Sequence, residues 1–172
     1  MMLVEDYNPE WAKWFESVKD FLAEGLGNSF LRIEHIGSTS VSGMTAKPII
    51  DIDIVIKPGS FPEILQKLSI LGYVHQGNLG IPGREAFDLK DETRKNTLPK
   101  HHMYVCQSDS GELKRHLAFK KYLETHPKAA EKLSLYKKTL AAKYKNNLQA
   151  YINGKEEMVS RMTRAAIYEI EK

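Results

Sequence analysis

Two stretches in the first third of the chain alternate between apolar and polar residues, a pattern typical of half-buried β-strands. The first runs from Arg32 to Ile36, and the second runs from Ile49 to Ile56. In an extended chain, the second stretch places its alternate isoleucines on one face and Asp51 and Asp53 on the other. The pattern therefore predicts a strand that buries one face and presents two carboxylates on the opposite face.

Two later segments show the same alternation and predict further strands. In Arg84 to Lys90, the side chains of Arg84 and Asp88 lie on the face opposite the apolar residues. In His101 to Gln107, His102 lies on the polar face. If these strands flank the strand that carries the aspartates, we expect the polar side chains of all three to converge on one face of the sheet.

Helical spacing of apolar residues predicts two helices in the first half of the chain and three after Gly111. The first helix is expected to begin at Asn8, and the last to begin at Asn153, since asparagine caps helix N-termini well. A second helix is expected over Phe61 to Leu71. The polar, unpatterned segment from Asp91 to Lys100 is expected to be a mobile loop.

Strands that alternate with helices and then give way to helices predict an α/β (α+β) fold. We expect a small mixed or antiparallel sheet of four to five strands, with the first helices on one face and a C-terminal helical group beside the site. The chain has 172 residues, the size of one ordinary domain. A single domain over residues 1–172 is therefore expected.

Charge and composition limit the classes of partner. The formal net charge is +3, and the basic residues are spread along the chain, so a phosphorylated ligand is permitted and nucleic acid is not demanded. The C-terminal lysines are expected to be solvated: Lys137, Lys138, Lys143 and Lys145. No apolar run approaches the roughly 20 residues of a membrane span, and no signal peptide is visible, so a cytoplasmic protein without a membrane partner is expected.

The chain has a single cysteine, Cys106. One cysteine excludes an intramolecular disulfide and a zinc site built from several thiolates. A cysteine on an apolar strand is typically a small buried hydrophobe. That interpretation is the one favoured by the sequence.

The two aspartates suggest a cation site, because like charges on one strand face repel each other. Mg²⁺ (or Mn²⁺) takes one or two protein carboxylates and completes its coordination with water and phosphate oxygens. Gly37 and Ser38 follow the preceding strand, where free backbone N–H groups and a hydroxyl can hold a phosphate oxygen. Either pattern alone is common in turns and solvated edges, but their combination indicates phosphoryl chemistry. Lys47 is interpreted equally well as a surface lysine and as a phosphate contact.

The text IEHIGSTSV followed by AKPIIDID resembles the GrpB family, a group of small proteins in the polymerase-β-like nucleotidyltransferase superfamily. The resemblance extends to YNPEW near the start, HHMYV in the fourth predicted strand, and a later segment from His116 to Pro127. It implies a metal ion at Asp51 and Asp53 that binds a nucleoside triphosphate, with Gly37 and Ser38 on phosphate oxygens. The implied reaction transfers a nucleotidyl group to an acceptor hydroxyl and releases pyrophosphate.

The superfamily normally adds a third carboxylate on a neighbouring strand, and no motif identifies it in this chain. Asp88 has the right face and the right kind of strand, but Glu34 competes with it. Arg84 is a candidate phosphate ligand because a guanidinium can bind phosphate with two hydrogen bonds. His102 is a candidate ligand-binding residue or general base. Lys155 is a further candidate for a phosphate contact.

Two alternatives to a transferase remain open. One is a binding or regulatory protein of the same fold that holds a nucleotide or another phosphorylated ligand without turnover. The other is a metal hydrolase that uses His101, His102 and the aspartates, for which an imidazole-rich site would favour Zn²⁺ over Mg²⁺. The acceptor, the nucleotide base and the oligomeric state are not specified by the sequence.

Overall fold

The protein is described over residues 3–172 by a computed structural model. Across that range it contains one five-stranded sheet and helices on both of its faces. In chain order the elements are α1 (Glu10–Leu26), β1 (Arg32–Ile36), a short 3₁₀ turn (Ser38–Ser40), β2 (Ile50–Ile56), α2 (Phe61–Ile70), β3 (Tyr73–His75), β4 (Glu85–Leu89), α3 (Glu92–Thr97), β5 (His101–Gln107), α4 (Gly111–Thr125), α5 (Pro127–Lys143) and α6 (Leu148–Ile170).

The strands lie in the order β1-β2-β5-β4-β3. The β2–β5 pair is parallel, and the other three pairs are antiparallel. The sheet is therefore mixed, and β2 lies between β1 and β5. Within residues 3–172, no helix has the length and apolar character needed to cross a bilayer.

Register places specific side chains beside the two aspartates of β2. On β5, His102 is the partner of Asp51 and Tyr104 is the partner of Asp53. On β1, Glu34 is the partner of Asp53. Partners in register point to the same face of a sheet, so these side chains share the face of the aspartates.

The opposite face of the sheet forms the main hydrophobic core. The isoleucines of β2 are fully buried against apolar side chains of α1 and α2, which include Val18, Leu22, Ile64 and Leu68. Burying each such side chain contributes about 1.5–3 kcal/mol. Because this face is covered by helices from the first half of the chain, the C-terminal helices are left to cover the aspartate face.

Two predicted local structures are wrong. The segment from Asp91 to Lys100 contains helix α3, because the Asp91 side chain accepts a hydrogen bond from the backbone N–H of Arg94 at 2.9 Å and caps the helix. Helix α6 begins at Leu148 rather than at Asn153, because Asn147 caps it through the N–H of Ala150 at 3.0 Å.

The first helix begins at Glu10, two residues after the predicted start at Asn8. The Asn8 side chain accepts a hydrogen bond from the N–H of Glu10 at 3.0 Å, and Pro9 occupies the position at which its missing N–H costs nothing. The three-residue strand β3 has too few residues for an alternating pattern to be recognised.

The turn after β1 brings the backbone against the site. Gly37 has a φ of +69°, and a Cβ at this position would lie 2.5 Å from Asp51 Oδ2. Two constraints therefore select glycine here: a left-handed backbone conformation and the absence of space for a side chain. Gly43 in the same connection also has a positive φ, of +80°, but a Cβ there meets nothing within 4 Å.

We predict that Gly37→Ala destabilises the protein by roughly 2–4 kcal/mol, because it adds displacement of the Asp51 carboxylate to the backbone strain. Gly43→Ala is the matched control and should cost only about 1 kcal/mol, which is the conformational term alone. Chemical denaturation of both variants measures the difference. Equal losses of stability would show that the close approach to Asp51 does not constrain this turn.

Candidate functional site

Two cavities of about 270 Å³ each lie on the aspartate face of the sheet, and Asp51 and Tyr104 line both of them. The first is called the lysine cavity here, and its polar lining is Ser38, Thr39, Lys47, Asp51, His102, Tyr104, Lys137, Tyr151 and Lys155. The second is called the arginine cavity, and it is lined by Gly37, Asp51, Arg84, Tyr104, Glu112, Arg115, His116 and Thr163 together with apolar residues. Asp51 thus lies where the two cavities meet.

Asp51 is the more accessible of the two aspartates, with 31% of its side chain exposed. Its Oδ1 lies 3.0 Å from Nδ1 of His102, the residue in register on β5. Across the described residues, only one oxygen of this carboxylate makes an internal hydrogen bond. The other can therefore bind a cation without breaking a hydrogen bond. Asp51 therefore has the accessibility that a metal ligand needs.

Asp53 is fully buried beneath Asp51. Its Oδ2 lies 2.7 Å from His116 Nδ1, while its Oδ1 is buried and lacks a hydrogen-bond partner among the residues that the structure describes. Burial raises the pKa of Asp53, and the hydrogen bond and charge of His116 oppose that rise. One oxygen of this carboxylate is thus satisfied and the other is available to a cation.

His116 on α4 lies between two carboxylates. Its Nε2 lies 3.2 Å from Glu112 Oε1, one helical turn earlier. Burial alone would lower the pKa of His116, but the hydrogen bond and charge of Asp53, with the charge of Glu112, outweigh it and raise the pKa. The ring is therefore held in place from both of its nitrogens.

Lys137 on α5 is buried, with 3% of its surface exposed, although the sequence predicts a solvated side chain. Its ammonium donates hydrogen bonds to Ser38 Oγ and to the carbonyl oxygen of Thr45, the latter at 3.1 Å. Burial is the main cause that lowers the pKa of Lys137 to about 7, and the charge of Lys155 lowers it further. The charge of Asp51 has the opposite effect. An anion in the lysine cavity would stabilise the charged form of this lysine.

The other two lysines reach the same cavity from different elements. Lys155 projects from α6, and Lys47 precedes β2. Burial lowers the pKa of Lys155, the charge of Asp51 opposes this effect, and the charge of Lys47 adds to it. Three lysines therefore line one small cavity together with a single partly exposed carboxylate, which makes the cavity suited to a polyanion.

Two further predicted site residues, Arg84 and Asp88, lie at or near β4. Arg84 lines the arginine cavity and stacks on the ring of Tyr104, with its guanidinium carbon 4.2 Å from the ring centroid. Asp88 pairs with Lys90 at the surface, on a strand separated from β2 by β5. The backbones of Asp88 and Asp51 are thus about two strand spacings of 4.8 Å apart. Its role as a third carboxylate stays a prediction.

Glu34, the competing carboxylate, is in register with Asp53 but pairs with Arg32 at 2.7 Å. His101 is separated from His102 by the strand alternation: its ring lies 2.7 Å from the Tyr73 hydroxyl and 2.7 Å from the Pro99 carbonyl oxygen. The pair His101 and His102 therefore does not converge on the aspartates, contrary to the metal-hydrolase alternative.

His116 and Lys137 are two of the site residues that the sequence analysis does not identify as candidates. Each occupies the buried stripe of its helix: Lys137 lies between Leu133 and Leu140 at helical spacing, and His116 lies three residues after Leu113. A titratable residue on an apolar stripe is the signal that could have identified both.

The chain is similar to proteins of one family over nearly its whole length. The family model described as GrpB protein matches residues 2–165 of the chain. The chain is 34% identical over 154 residues to UPF0157 protein YqkA of Bacillus subtilis, a match that covers 89% of this chain and 43% of YqkA. It is 29% identical to glutamate-rich protein GrpB of Alkalihalophilus pseudofirmus, covering 92% of this chain and 91% of that protein.

Solved structures support the same relationship at the level of the fold. The conserved protein GrpB from Enterococcus faecalis superimposes with a TM-score of 0.84 at 30% identity, covering 98% of this chain and 99% of that chain. A structure of the Cid1 poly(U) polymerase with MgGTP bound superimposes with a TM-score of 0.55 at 13% identity, covering 87% of this chain and 50% of that chain. The five-stranded sheet is therefore a nucleotidyltransferase-like fold.

The pKa of Lys137 generates a testable pH dependence. Below about pH 7, the ammonium is protonated in both the folded and the unfolded chain, so the full cost of burying the charge opposes folding. Between pH 7 and the ordinary lysine value of 10.5, the folded chain releases the proton and this cost declines. Folding therefore gains stability from Lys137 as the pH rises.

We predict that the free energy of unfolding of Lys137→Met, relative to that of the unaltered protein, is highest at low pH. From about pH 6 to about pH 9 the difference should shrink by about 2–3 kcal/mol. The lost hydrogen bonds to Ser38 and Thr45 add an offset that does not depend on pH. Denaturation across this range measures the trend, and Lys132→Met, at an exposed position of the same helix, should show none. A constant difference for Lys137→Met would contradict the buried-charge account.

Proposed function

This chain belongs to the GrpB family and has a nucleotidyltransferase-like fold, and we propose that it binds a phosphorylated ligand, a nucleoside triphosphate, together with Mg²⁺ or Mn²⁺. The proposed metal ligands are Asp51 and Asp53. The observation that carries the proposal is the lysine cavity, which is lined by three lysines and by the partly exposed carboxylate of Asp51.

The residues fit a hard divalent cation. The donors are carboxylate oxygens, which Mg²⁺ and Mn²⁺ prefer, and the buried Oδ1 of Asp53 has no hydrogen-bond partner within residues 3–172. A bound Mg²⁺ supplies positive charge that polarises phosphoryl oxygens. The protein supplies the remaining positive charge through its lysines.

The phosphate tail is assigned to the lysine cavity. Its volume of about 270 Å³ accommodates part of a nucleotide rather than all of it, and its three lysines match the negative charge of a triphosphate tail. Ser38 and the backbone beside Gly37 are the proposed hydrogen-bond donors to phosphate oxygens. Lys137, already within hydrogen-bond distance of Ser38, would transfer its hydrogen bond to the entering anion.

The proposed reaction is nucleotidyl transfer to an acceptor hydroxyl. The acceptor oxygen forms a bond to the α-phosphorus, the bond from that phosphorus to the oxygen bridging the β-phosphate breaks, and pyrophosphate leaves. The acceptor proton passes to His102, whose ring adjoins Asp51 and lines the same cavity. Lys137 and Lys155 stabilise the charge that develops on the departing pyrophosphate.

A second candidate function is binding without turnover, and one observation favours it. At the positions in register with Asp51 and Asp53, β5 presents His102 and Tyr104 instead of a third carboxylate. A second metal ion would then have little support from the protein. Pyrophosphate release from the four ribonucleoside triphosphates, with and without a mixed pool of hydroxyl acceptors, separates a transferase from a binding protein.

We predict that Asp51→Asn weakens Mn²⁺-dependent binding of a nucleoside triphosphate about tenfold or more, because it removes the accessible anionic ligand. Folding stability should change by less than about 0.5 kcal/mol, since the side chain is partly exposed. Isothermal titration calorimetry with Mn²⁺ and each triphosphate gives the affinity, and thermal denaturation gives the stability.

Asp109→Asn is the matched control: it removes an exposed carboxylate that lines neither cavity. Its affinity should equal that of the unaltered protein. If Asp109→Asn abolishes binding and Asp51→Asn does not, or if no triphosphate binds with either metal, the proposed site is wrong.

A further inference from the structure

Three side chains with metal-ligating atoms meet beneath the arginine cavity. Asp53 on β2, Cys106 on β5 and His116 on α4 place one ligand atom each within 4.8 Å of one another. Asp53 and Cys106 are buried, and His116 is mostly buried. We propose that this trio is a site for a thiolate-binding divalent transition metal, Zn²⁺, which would compete for Asp53 with the Mg²⁺ proposed at Asp51 and Asp53.

The unsatisfied oxygen of Asp53 supports a ligand at this position. Its Oδ1 is buried and has no hydrogen-bond partner in the described part of the chain, although Asp53 is fully shielded from solvent. Burying a carboxylate oxygen without a hydrogen-bond partner costs more folding free energy than burying an unpaired neutral polar atom in the same position. A cation bound there would remove that cost.

The second nitrogen of His116 adds an independent feature. A metal-binding histidine usually donates its other ring N–H to a carboxylate, which fixes the orientation of the ring. Nδ1 of His116 faces Asp53, and Nε2 lies 3.2 Å from Glu112 Oε1 on the same helix. The ring is therefore already oriented for Nδ1 to bind a metal while Nε2–H donates to Glu112.

Zn²⁺ binding requires the Cys106 thiol to release its proton to solvent, because the thiolate is the form of cysteine that binds a metal ion.

The ligand set leaves one tetrahedral position for an exogenous group. Sites with a thiolate, an imidazole and a carboxylate bind Zn²⁺ well, and three protein ligands leave the fourth position to water or a ligand oxygen. His116 and Glu112 also line the arginine cavity, so that position can be reached from it. Because the proposed Mg²⁺ site also uses Asp53, the two metal ions are alternatives at that carboxylate, whereas Cys106 and His116 belong to the Zn²⁺ site alone.

Co²⁺ serves as a spectroscopic probe for Zn²⁺ at this site. The metal-free protein titrated with Co²⁺ should develop a thiolate-to-cobalt charge-transfer absorption, which one equivalent of Zn²⁺ abolishes by displacement. Cys106→Ser and Cys106→Ala should lose that absorption and bind Zn²⁺ about tenfold or more weakly. Glu112→Gln should retain the absorption and weaken Zn²⁺ binding by about ten- to a hundredfold. The substitution leaves the three metal ligands in place but removes the carboxylate that orients the His116 ring.

His102→Asn is the control for adventitious imidazole binding, and it should leave both the absorption and the Zn²⁺ affinity unchanged. Absence of the charge-transfer absorption in the unaltered protein would overturn the proposal, as would Zn²⁺ binding that survives both cysteine substitutions. If a cysteine variant fails to fold, the spectrum of the unaltered protein still decides the matter. Asp51→Asn should retain Zn²⁺ binding, so failure of this site and failure of the proposed nucleotide site are distinguishable.

Discussion

Strand β2 must bury isoleucines on one face while it carries two carboxylates on the other, and the structure is arranged around that requirement. Helices α1 and α2 cover the isoleucine face and form the core. The aspartate face cannot be covered in the same way, because Asp53 is fully buried and needs polar neighbours. Helices α4, α5 and α6 therefore bring His116, Lys137 and Lys155 to this face.

This compensation is incomplete, and its incompleteness points to a ligand. Burial lowers the pKa values of Lys137 and Lys155, while one oxygen of Asp53 is left without a partner among residues 3–172. Buried cations and a buried anion lie close together, yet each retains an electrostatic cost that the others do not remove. A cation beside the aspartates and an anion beside the lysines would lower both costs, which is the arrangement expected of a metal-bound polyphosphate site.

The sequence predicted the parts of the structure that depend on local patterns. Alternation identified β1, β2, β4 and β5, and the resemblance to the GrpB family and its superfamily fold is confirmed. Local pattern could not show that β5 lies beside β2, because strand order depends on pairing across the chain. For that reason His102 and Tyr104 could not be assigned positions opposite the aspartates, and the roles of Lys137 and His116 were missed. The cap at Asp91 was missed because the short polar helix α3 has no apolar stripe.

The most direct test of the account is the position of a bound metal and its phosphates. Crystals grown with Mn²⁺ and a non-hydrolysable nucleoside triphosphate should give an anomalous diffraction peak at the carboxylate of Asp51, with the phosphate tail in the lysine cavity beside Lys137 and Lys155. A metal peak away from Asp51, or phosphates bound outside the lysine cavity, would contradict it.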